Sequence, residues 1–318
     1  MTTNNEGVII AVVTRQRPLE LRRLLVALEE LYGSREDVRL LVVENEAQTS
    51  VTGIIAEAAP TLSRRTTHAL EATPGYSAVR NAALRRMGDA DALVFIDDDE
   101  VPEPGWLDAL VEAQRQLGAD VVAGPVVPVL PEDAGADVVA SGVFAADQPD
   151  LAEGVEMRWC ASNNTLVTAR AVRLVPEGFD PRFNRSGGED SHFFSLVTVR
   201  GGTIRWTRAA TVREFITSDR LSARWVWRRA WRSGRTRAEV ELTHFPSAMS
   251  VATRAAKASG QVVIGSVRFA VGKVIRERGQ ALRGVQLAAT GLGSWRGLFF
   301  AAATTWRPRS QSQRQRSD

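Results

Sequence analysis

The stretch ALVFIDDDE, residues 92–100, joins five apolar residues directly to four carboxylates, Asp97, Asp98, Asp99 and Glu100. A short apolar run of this kind predicts a buried strand, so the carboxylates stand where the chain leaves a hydrophobic sheet. Carboxylates this close repel one another, and a divalent cation with a phosphorylated ligand would relieve that repulsion. Taken alone, an acidic turn before a helix that begins near Pro104 explains the same residues equally well.

Strand and helix patterns alternate on both sides of this stretch. Runs of β-forming residues predict strands at 8–13, 40–43, 66–70 and 121–127, and leucines at helical spacing follow the first of them. This alternation predicts an α/β protein with a mostly parallel central sheet and helices on both faces. Ligands of such sheets bind at the carboxyl ends of the strands, which is where the acidic stretch lies.

Charge divides the chain of 318 residues into two parts. Residues 1–219 contain 21 Lys and Arg against 33 Asp and Glu, whereas residues 220–318 contain 19 against 4. We therefore expect an acidic domain at 1–219, a helical basic region at 220–306 and a disordered Ser/Gln/Arg-rich tail at 307–318. A basic region suits an anionic partner such as a lipid surface, a nucleic acid or a pyrophosphate.

Other sequence features argue against several classes of protein. The single cysteine, Cys160, allows no intrachain disulfide and fits a reducing compartment. Residues 1–7 lack the layout of a secretion signal, and the most apolar stretch, 284–306, is interrupted by Arg296. No G-x-G-x-x-G motif follows the first predicted strand, which argues against a hydride-transferring enzyme. We expect a cytoplasmic protein.

Polar residues with a chemical meaning follow the other predicted strands. Thr14 and Arg17 come after the first strand, where a hydroxyl and a guanidinium suit a phosphate or nucleotide. Glu44 closes the second strand and can accept a hydrogen bond from a base or a ribose. Arg80 lies on a helix behind the flexible Gly75 and could reach a pyrophosphate. Each of these residues also has an ordinary structural explanation.

A second acidic pair, Glu189-Asp190, follows two glycines at the start of a predicted helix. Acidic residues are favoured there by the helix dipole, so a plain helix cap is one interpretation. The other is a general base that takes a proton from an acceptor hydroxyl.

Together these residues resemble the inverting glycosyltransferases of family 2, which have the GT-A fold, over roughly residues 7–235. The family's T-x-x-R-P, acidic strand end, R-N pair, D-x-D motif and late E-D pair are matched in order. The matching residues are Thr14, Arg17-Pro18, Glu44, Arg80-Asn81, Asp97-Asp98-Asp99 and Glu189-Asp190. The string 96–100 with Trp106-Leu107 is similar to members that act in bacterial exopolysaccharide synthesis of the succinoglycan type.

The resemblance implies a role for each matched residue. Donor binding would fall to Thr14, Arg17, Glu44, Arg80, Asp97, Asp98 and Glu189, with Glu44 at the base and Asp97 and Asp98 at ribose and sugar hydroxyls. Asp99 would ligate Mg²⁺ or Mn²⁺ bridging the diphosphate, and Asp190 would be the catalytic base.

The resemblance also implies an activity for domain 1–219. This would be metal-dependent, inverting transfer of one sugar from a nucleotide-sugar, a UDP-sugar above all, to a hydroxyl of a saccharide or polyprenyl-linked acceptor in cell-surface glycan synthesis. A nucleotidyltransferase and a non-catalytic sugar-nucleotide-binding scaffold are the alternatives. A nucleotidyltransferase usually has a Gly-rich basic loop after its first strand, and residues 14–18 contain no glycine.

Two features depart from the family pattern. Many relatives carry a metal-binding His after the base, whereas this chain has Glu214 in that region, which either substitutes or forms a salt bridge. Processive synthases carry Q-x-x-R-W, whereas residues 224–231 are RWVWRRAW. We therefore expect an enzyme that adds a single sugar.

The basic region mixes Trp225, Trp227 and Trp231 with arginines, as helices at a membrane interface do. Nucleic acid is the competing partner, and we favour lipid because a sugar-transfer site would lie beside this region. We expect amphipathic helices at 262–283 and 284–306 on the inner face of the cell membrane. A packed helical subdomain with a solvated basic face is the alternative.

Overall fold

The computed structural model describes residues 7–145 and 151–305, with side chains to residue 299, so the predicted tail at 307–318 lies outside the described residues. These residues group into two compact units. The first is formed within Met1–Asp133 and Phe144–Ser218, and the second within Ala134–Val143 and Asp219–Asp318. The sequence did not indicate that 134–143 would group with the C-terminal residues.

The strands of the first unit form two sheets. They are β1 Val8–Thr14, β2 Arg39–Glu44, β3 Thr66–Leu70, β4 Ala92–Asp97, β5 Glu100–Pro102, β6 Val121–Ala123, β7 Val126–Val129, β8 Glu156–Met157, β9 Thr165–Thr168, β10 Ile204–Trp206 and β11 Val212–Phe215. The large sheet has the order β3-β2-β1-β4-β9-β6-β10-β8, and the small one β5-β11-β7. β3, β2, β1 and β4 are mutually parallel, and β9 is antiparallel to both of its neighbours. The predicted α/β fold with a mostly parallel sheet is confirmed.

Helices cover the sheet and form the second unit. They are α1 Pro18–Tyr32, α2 Thr52–Ala58, α3 Tyr76–Arg85, α4 Trp106–Leu117, α5 Ala136–Ser141, α6 Ala169–Leu174, α7 Glu189–Val199, α8 Ala223–His244, α9 Ala248–Val274 and α10 Arg278–Thr305. Short 3₁₀ turns lie at 62–65, 132–134, 181–183 and 218–221.

Both faces of β1 are buried, which explains why its sequence is apolar throughout rather than alternating. Ile10 and Val12 belong to a core that includes leucines of α1 and Trp106 of α4. Ile9 and Ala11 belong to the opposite core, which includes α3 and the phenylalanines of α7. Helices therefore pack on both faces of the sheet, and the strand ends lie at its edge.

Two local predictions were wrong. The strand expected at 121–127 divides into β6 and β7, which belong to different sheets. The break falls at Gly124, where a Cβ would overlap the backbone carbonyl of Ala210. The acidic stretch also does not lead straight into a helix, because Glu100 begins β5 and pairs opposite Glu214 of β11.

In the second unit, α10 packs against both α8 and α9. The helices approach closely at glycines: a Cβ at Gly265 would overlap the backbone of Ala288, and one at Gly293 would overlap that of Trp231. The helix expected at 262–283 is interrupted, since α9 ends at Val274 and Arg276 has φ +59°. Within the described part of the chain, no helix has the length and apolar character needed to cross a membrane.

Candidate active site

The parallel strands bring three of the predicted residues to one edge of the sheet. Thr14 at the end of β1 is opposite Glu44 at the end of β2. On the other side of β1, Val13 is opposite Asp97 of β4. Because the carboxyl ends of parallel strands meet, residues far apart in sequence become neighbours here.

Thr14 and Arg17 hold the middle of the acidic stretch. The Thr14 hydroxyl donates to Asp98 Oδ2 at 2.8 Å. Arg17 Nη1 donates to Asp98 Oδ1 and to Asp99 Oδ2, both at 3.0 Å. Burial raises the pKa of Asp98, while the Arg17 charge and the Thr14 hydroxyl oppose that change. One guanidinium therefore bridges two carboxylates that would otherwise repel each other, and it offsets one of their two charges.

The turn between β1 and α1 directs Arg17 towards these carboxylates. Gln16 has φ +53°, a conformation that few side chains adopt. Its Nε2 donates to Glu46 Oε1 at 2.7 Å. This contact stabilises the turn from the neighbouring strand end.

Arg80 of α3 connects β4 to the start of α7. Its side chain is almost fully buried, and Nε donates to Ser162 Oγ at 2.6 Å. Nη1 donates to Glu189 Oε1 at 3.0 Å, and Nη2 lies 3.4 Å from Asp97 Oδ1. A single guanidinium thus joins the acidic stretch at 97–99 to the late acidic pair.

Glu189 is an unusual carboxyl group. It is only 4% exposed, and burial raises its pKa to about 7, although Arg80 opposes the change. Its Oε1 is bonded to Arg80, whereas Oε2 has no hydrogen-bond partner among the described residues. A buried polar atom without a partner points to a binding site, because a ligand can supply the missing hydrogen bond.

Asp190 occupies the first turn of α7. The two residues before the helix, Gly187 and Gly188, have φ +71° and +100°, which only glycine adopts without strain. Asp190 Oδ1 accepts from the Ser191 backbone N–H at 2.6 Å. The charge of Asp190 acts on both Arg80 and Glu189, so the three groups are close neighbours.

Burial also raises the pKa of Asp97, the other carboxylate beside Arg80. The charges of Asp99, Asp98 and Glu214 add to this effect, and Arg80 opposes it. Glu214 therefore faces the acidic stretch from β11.

A cavity of about 450 Å³ lies beside these residues. Five predicted residues line it, namely Thr14, Arg17, Arg80, Asp97 and Asp98. Asp99 and Glu189 are attached to the lining through their ion pairs with Arg17 and Arg80. The structure thus gathers six of the predicted donor-binding residues and the predicted metal ligand at one cavity.

Glu44 is placed differently. It is buried, and its carboxylate accepts from the Ser50 backbone N–H, at 2.9 and 3.1 Å, and from the Ser50 hydroxyl. His68 Nε2 lies 3.3 Å from Oε2 of Glu44. The neighbouring Asn45, not Glu44, is among the residues that line the cavity. The base-binding role of Glu44 stays a prediction.

Sequence reasoning missed Asn45, Tyr76, Asn184 and Arg185 of the cavity lining. Asn45 Nδ2 donates to the carbonyls of Glu71 and Thr73, and its Oδ1 accepts from the Gly75 N–H. Asn184 Oδ1 accepts from the Ala78 N–H at 2.9 Å. The one signal for these residues was their position beside the predicted motifs, with Tyr76 at the start of α3 and the others in polar loops.

Similarity to known proteins identifies the family. Residues 9–137 match the sequence model of Glycosyl transferase family 2. The chain is 32% identical over 232 residues to the succinoglycan biosynthesis protein ExoM of Rhizobium meliloti strain 1021, covering 71% of this chain and 72% of ExoM. The chain belongs to glycosyl transferase family 2.

Solved structures show the same fold as this family 2 glycosyltransferase. The mannosyltransferase PcManGT from Pyrobaculum calidifontis, in complex with GDP-Man and Mn²⁺, is 18% identical with a TM-score of 0.57, covering 91% of this chain and 87% of that one. Residues 1–349 of TarS from S. aureus are 12% identical with a TM-score of 0.53, covering 91% of both chains. The predicted resemblance to family 2 and the predicted GT-A fold are confirmed.

Proposed function

We propose that this family 2 glycosyltransferase moves one sugar from a nucleotide-sugar, with a UDP-sugar as the first candidate, to a hydroxyl of a saccharide or lipid-linked acceptor in the synthesis of a cell-surface polysaccharide. The observation that carries the proposal is Arg80, which joins Asp97 and Glu189 beside one cavity. The name of ExoM, a succinoglycan biosynthesis protein, supports the process. The GDP-Man bound in PcManGT supports a nucleotide-sugar donor.

The cavity lining suits the diphosphate of such a donor. Arg17 and Arg80 place two guanidinium groups on the lining, and guanidinium forms strong, directional hydrogen bonds with phosphate oxygens. Thr14, Asp97 and Asp98 add a hydroxyl and two carboxylates that can bond to ribose and sugar hydroxyls. Glu189 would contribute its unpartnered Oε2 to the donor.

The residues present fit a divalent cation that binds together with the donor. The described residues contain no group of three or more His, Cys, Asp or Glu side chains arranged for a metal. Mg²⁺ and Mn²⁺, however, commonly bind through one or two carboxylates plus substrate phosphates, and Asp99 offers such a carboxylate. When bound, the cation supplies neutralising charge for the leaving diphosphate.

Asp190 acts as the general base of this proposal. It takes the proton of the acceptor hydroxyl, whose oxygen forms a bond to the anomeric carbon from the face opposite the diphosphate. The bond between that carbon and the diphosphate oxygen breaks, and the diphosphate leaves with the electron pair. A single displacement of this kind inverts the anomeric configuration. Arg17 and Arg80 stabilise the charge that develops on the leaving group.

Thermal-shift measurements with a panel of UDP- and GDP-sugars, with and without Mn²⁺, test the donor. One donor at about 100 times its Kd should raise the free energy of unfolding by about 2.7 kcal/mol, and Mn²⁺ should strengthen the effect. Asp99→Ala should abolish the Mn²⁺-dependent part of the shift and the release of nucleoside diphosphate. Equal responses to every nucleotide-sugar, or no response to any, would contradict the proposal.

A further inference from the structure

Helix α9 has one face that is packed against the protein and one that is exposed. One face packs on α10, where a Cβ at Gly265 or Gly272 would overlap the α10 backbone. The other carries five aliphatic residues and continues to Ile275 directly after the helix, and these six residues are between 47% and 81% exposed. We name this set the α9 apolar face: Val263, Ile264, Val267, Val271, Val274 and Ile275.

These six residues form one continuous stripe. At about 100° of rotation per residue they cover an arc of about 120°. Val263, Val267 and Val274 lie along the centre and one side of this arc, with Ile264 and Ile275 towards the other. A stripe of exposed aliphatic residues of this length is uncommon on a protein surface that faces only water.

The charges that flank the face along α9 are positive, and the one exposed carboxylate near it in sequence is Glu277, two residues beyond Ile275. Helix α9 contains Arg254, Lys257, Arg268 and Lys273 and no acidic residue, and the segment 278–305 of α10 also contains none. Lys257 precedes Ile264 by seven residues and Arg268 follows it by four, so both exposed cations fall on the same edge of the stripe. Basic residues at the edge of an apolar stripe match the anionic headgroups and acyl chains of a lipid surface.

We propose that the α9 apolar face binds the surface of an anionic lipid bilayer, with the helix lying in the plane of the headgroups. No helix in the described ranges 7–145 and 151–305 can cross a membrane, which fits a helix that lies on the bilayer. A second copy of the chain is a poorer occupant, because two such faces would bring like charges together without a carboxylate on α9 to pair with them. This inference concerns membrane binding rather than sugar transfer, and it does not depend on the proposed function.

Two of the α8 tryptophans, which the sequence also placed at a membrane interface, lie beside arginines of the same unit. Arg229 lies 5.3 Å from the ring centre of Trp225, and Arg235 lies 5.6 Å from that of Trp231. These rings already have cationic partners within the protein. The side chains of the α9 apolar face are exposed among the residues that the structure describes.

Flotation of the full-length protein with vesicles tests the proposal. We expect binding to vesicles of phosphatidylcholine mixed with phosphatidylglycerol, weaker binding to phosphatidylcholine alone, and weakening by salt. Val267→Asp should lower the partition coefficient about tenfold, since it removes apolar area and places a charge in the contact. The double variant Lys257→Glu with Arg268→Glu should lose the preference for phosphatidylglycerol.

Val199→Asp at the end of α7 is the matched control, because Val199 is similarly exposed but lies on the other unit. It should float like the wild type. Circular dichroism melting should give equal Tm values for Val267→Asp and Val199→Asp, since both residues are exposed. Unchanged flotation of Val267→Asp would overturn the proposal. So would a dimer, measured by light scattering, that disappears in Val267→Asp while vesicle binding is absent.

Discussion

At the scale of single residues, the site is organised by two arginines that neutralise carboxylates. Arg17 forms ion pairs with Asp98 and Asp99, and Arg80 forms ion pairs with Asp97 and Glu189. Without these guanidinium groups, negatively charged carboxylates would lie side by side in a partly buried site, which is strongly unfavourable. The arginines therefore stabilise the acidic stretch in the absence of donor and stand at the cavity where a diphosphate would bind.

This arrangement predicts that Arg17 competes with a cation for Asp98 and Asp99. Arg17→Gln should tighten Mn²⁺ binding in the absence of donor by roughly five- to tenfold, because a part-exposed ion pair is worth about 1 kcal/mol. The same variant should weaken donor binding, since a phosphate contact is lost. Isothermal titration with Mn²⁺ alone and then with the donor measures both effects.

Arg22→Gln provides the control for this prediction. Arg22 lies on α1 and pairs with the exposed Glu57. The Mn²⁺ affinity of the Arg22→Gln variant should equal that of the wild type. Equal Mn²⁺ affinity of Arg17→Gln and Arg22→Gln would mean that Arg17 does not hold the two aspartates in solution.

Single residues also show how far the sequence could predict the site. Arg17 and Asp97–Asp99 follow recognisable patterns at strand ends, Arg80 lies on a helix behind a glycine turn, and all were predicted. Ser162 and Asn45 were not, because their roles come from hydrogen bonds to Arg80 and to the loop at 71–75. Contacts between such distant positions leave no local pattern in the sequence.

At the scale of elements, the start of α7 decides where Asp190 lies. Gly187 and Gly188 turn the chain with positive φ angles directly before the helix. A residue with a Cβ would cost about 1–2 kcal/mol in that conformation. The position of Asp190 thus depends on a backbone turn that only glycine forms easily.

Gly188→Ala should therefore lower both stability and activity. We expect a loss of about 1–2 kcal/mol in the free energy of unfolding, and a fall in nucleoside-diphosphate release, because the first turn of α7 shifts. Denaturant unfolding and a release assay measure the two effects.

Gly201→Ala separates strain from position. Gly201 has φ +84°, and a Cβ there would meet no atom within 4 Å. The Gly201→Ala variant should lose about as much stability as Gly188→Ala but keep full activity. If Gly188→Ala kept full activity while losing stability, the turn would not position the catalytic machinery.

The elements also differ in how well the sequence predicted them. β1, β2 and β4 are runs buried on both faces, which leaves a strong apolar pattern. The break between β6 and β7 arises from the close approach of Gly124 to Ala210, and the break after α9 from a turn at Arg276. Gly124-Pro125 and the charged residues 276–278 mark both breaks in the sequence, but apolar periodicity alone does not use such signals.

At the scale of the whole molecule, the acidic and basic parts of the sequence have different chemistry. The first unit contains the cavity with its arginine–carboxylate pairs, and the second consists of helices joined by close glycine contacts. The charge asymmetry was visible in the sequence. An amphipathic helix at 262–283 was predicted as well, but not which of its faces packs on α10 through Gly265 and Gly272.

The central claim is that Asp190, which neighbours Arg80 and Glu189 but is not itself among the lining residues, performs a chemical step on a donor bound in the cavity. Asp190→Asn keeps the shape of the side chain and the acceptor for the Ser191 N–H, but it removes the base. Glu177→Gln, an exposed change at a residue paired with Arg200, is the control and should behave as the wild type.

The most direct measurement is the donor Kd of Asp190→Asn by titration calorimetry with Mn²⁺, alongside its rate of nucleoside-diphosphate release. We predict a rate about 10³-fold lower with a donor Kd within about threefold of the wild type, as expected for the loss of a general base. A rate equal to that of the wild type would contradict the claim, as would a loss of donor binding that accounts for the whole effect.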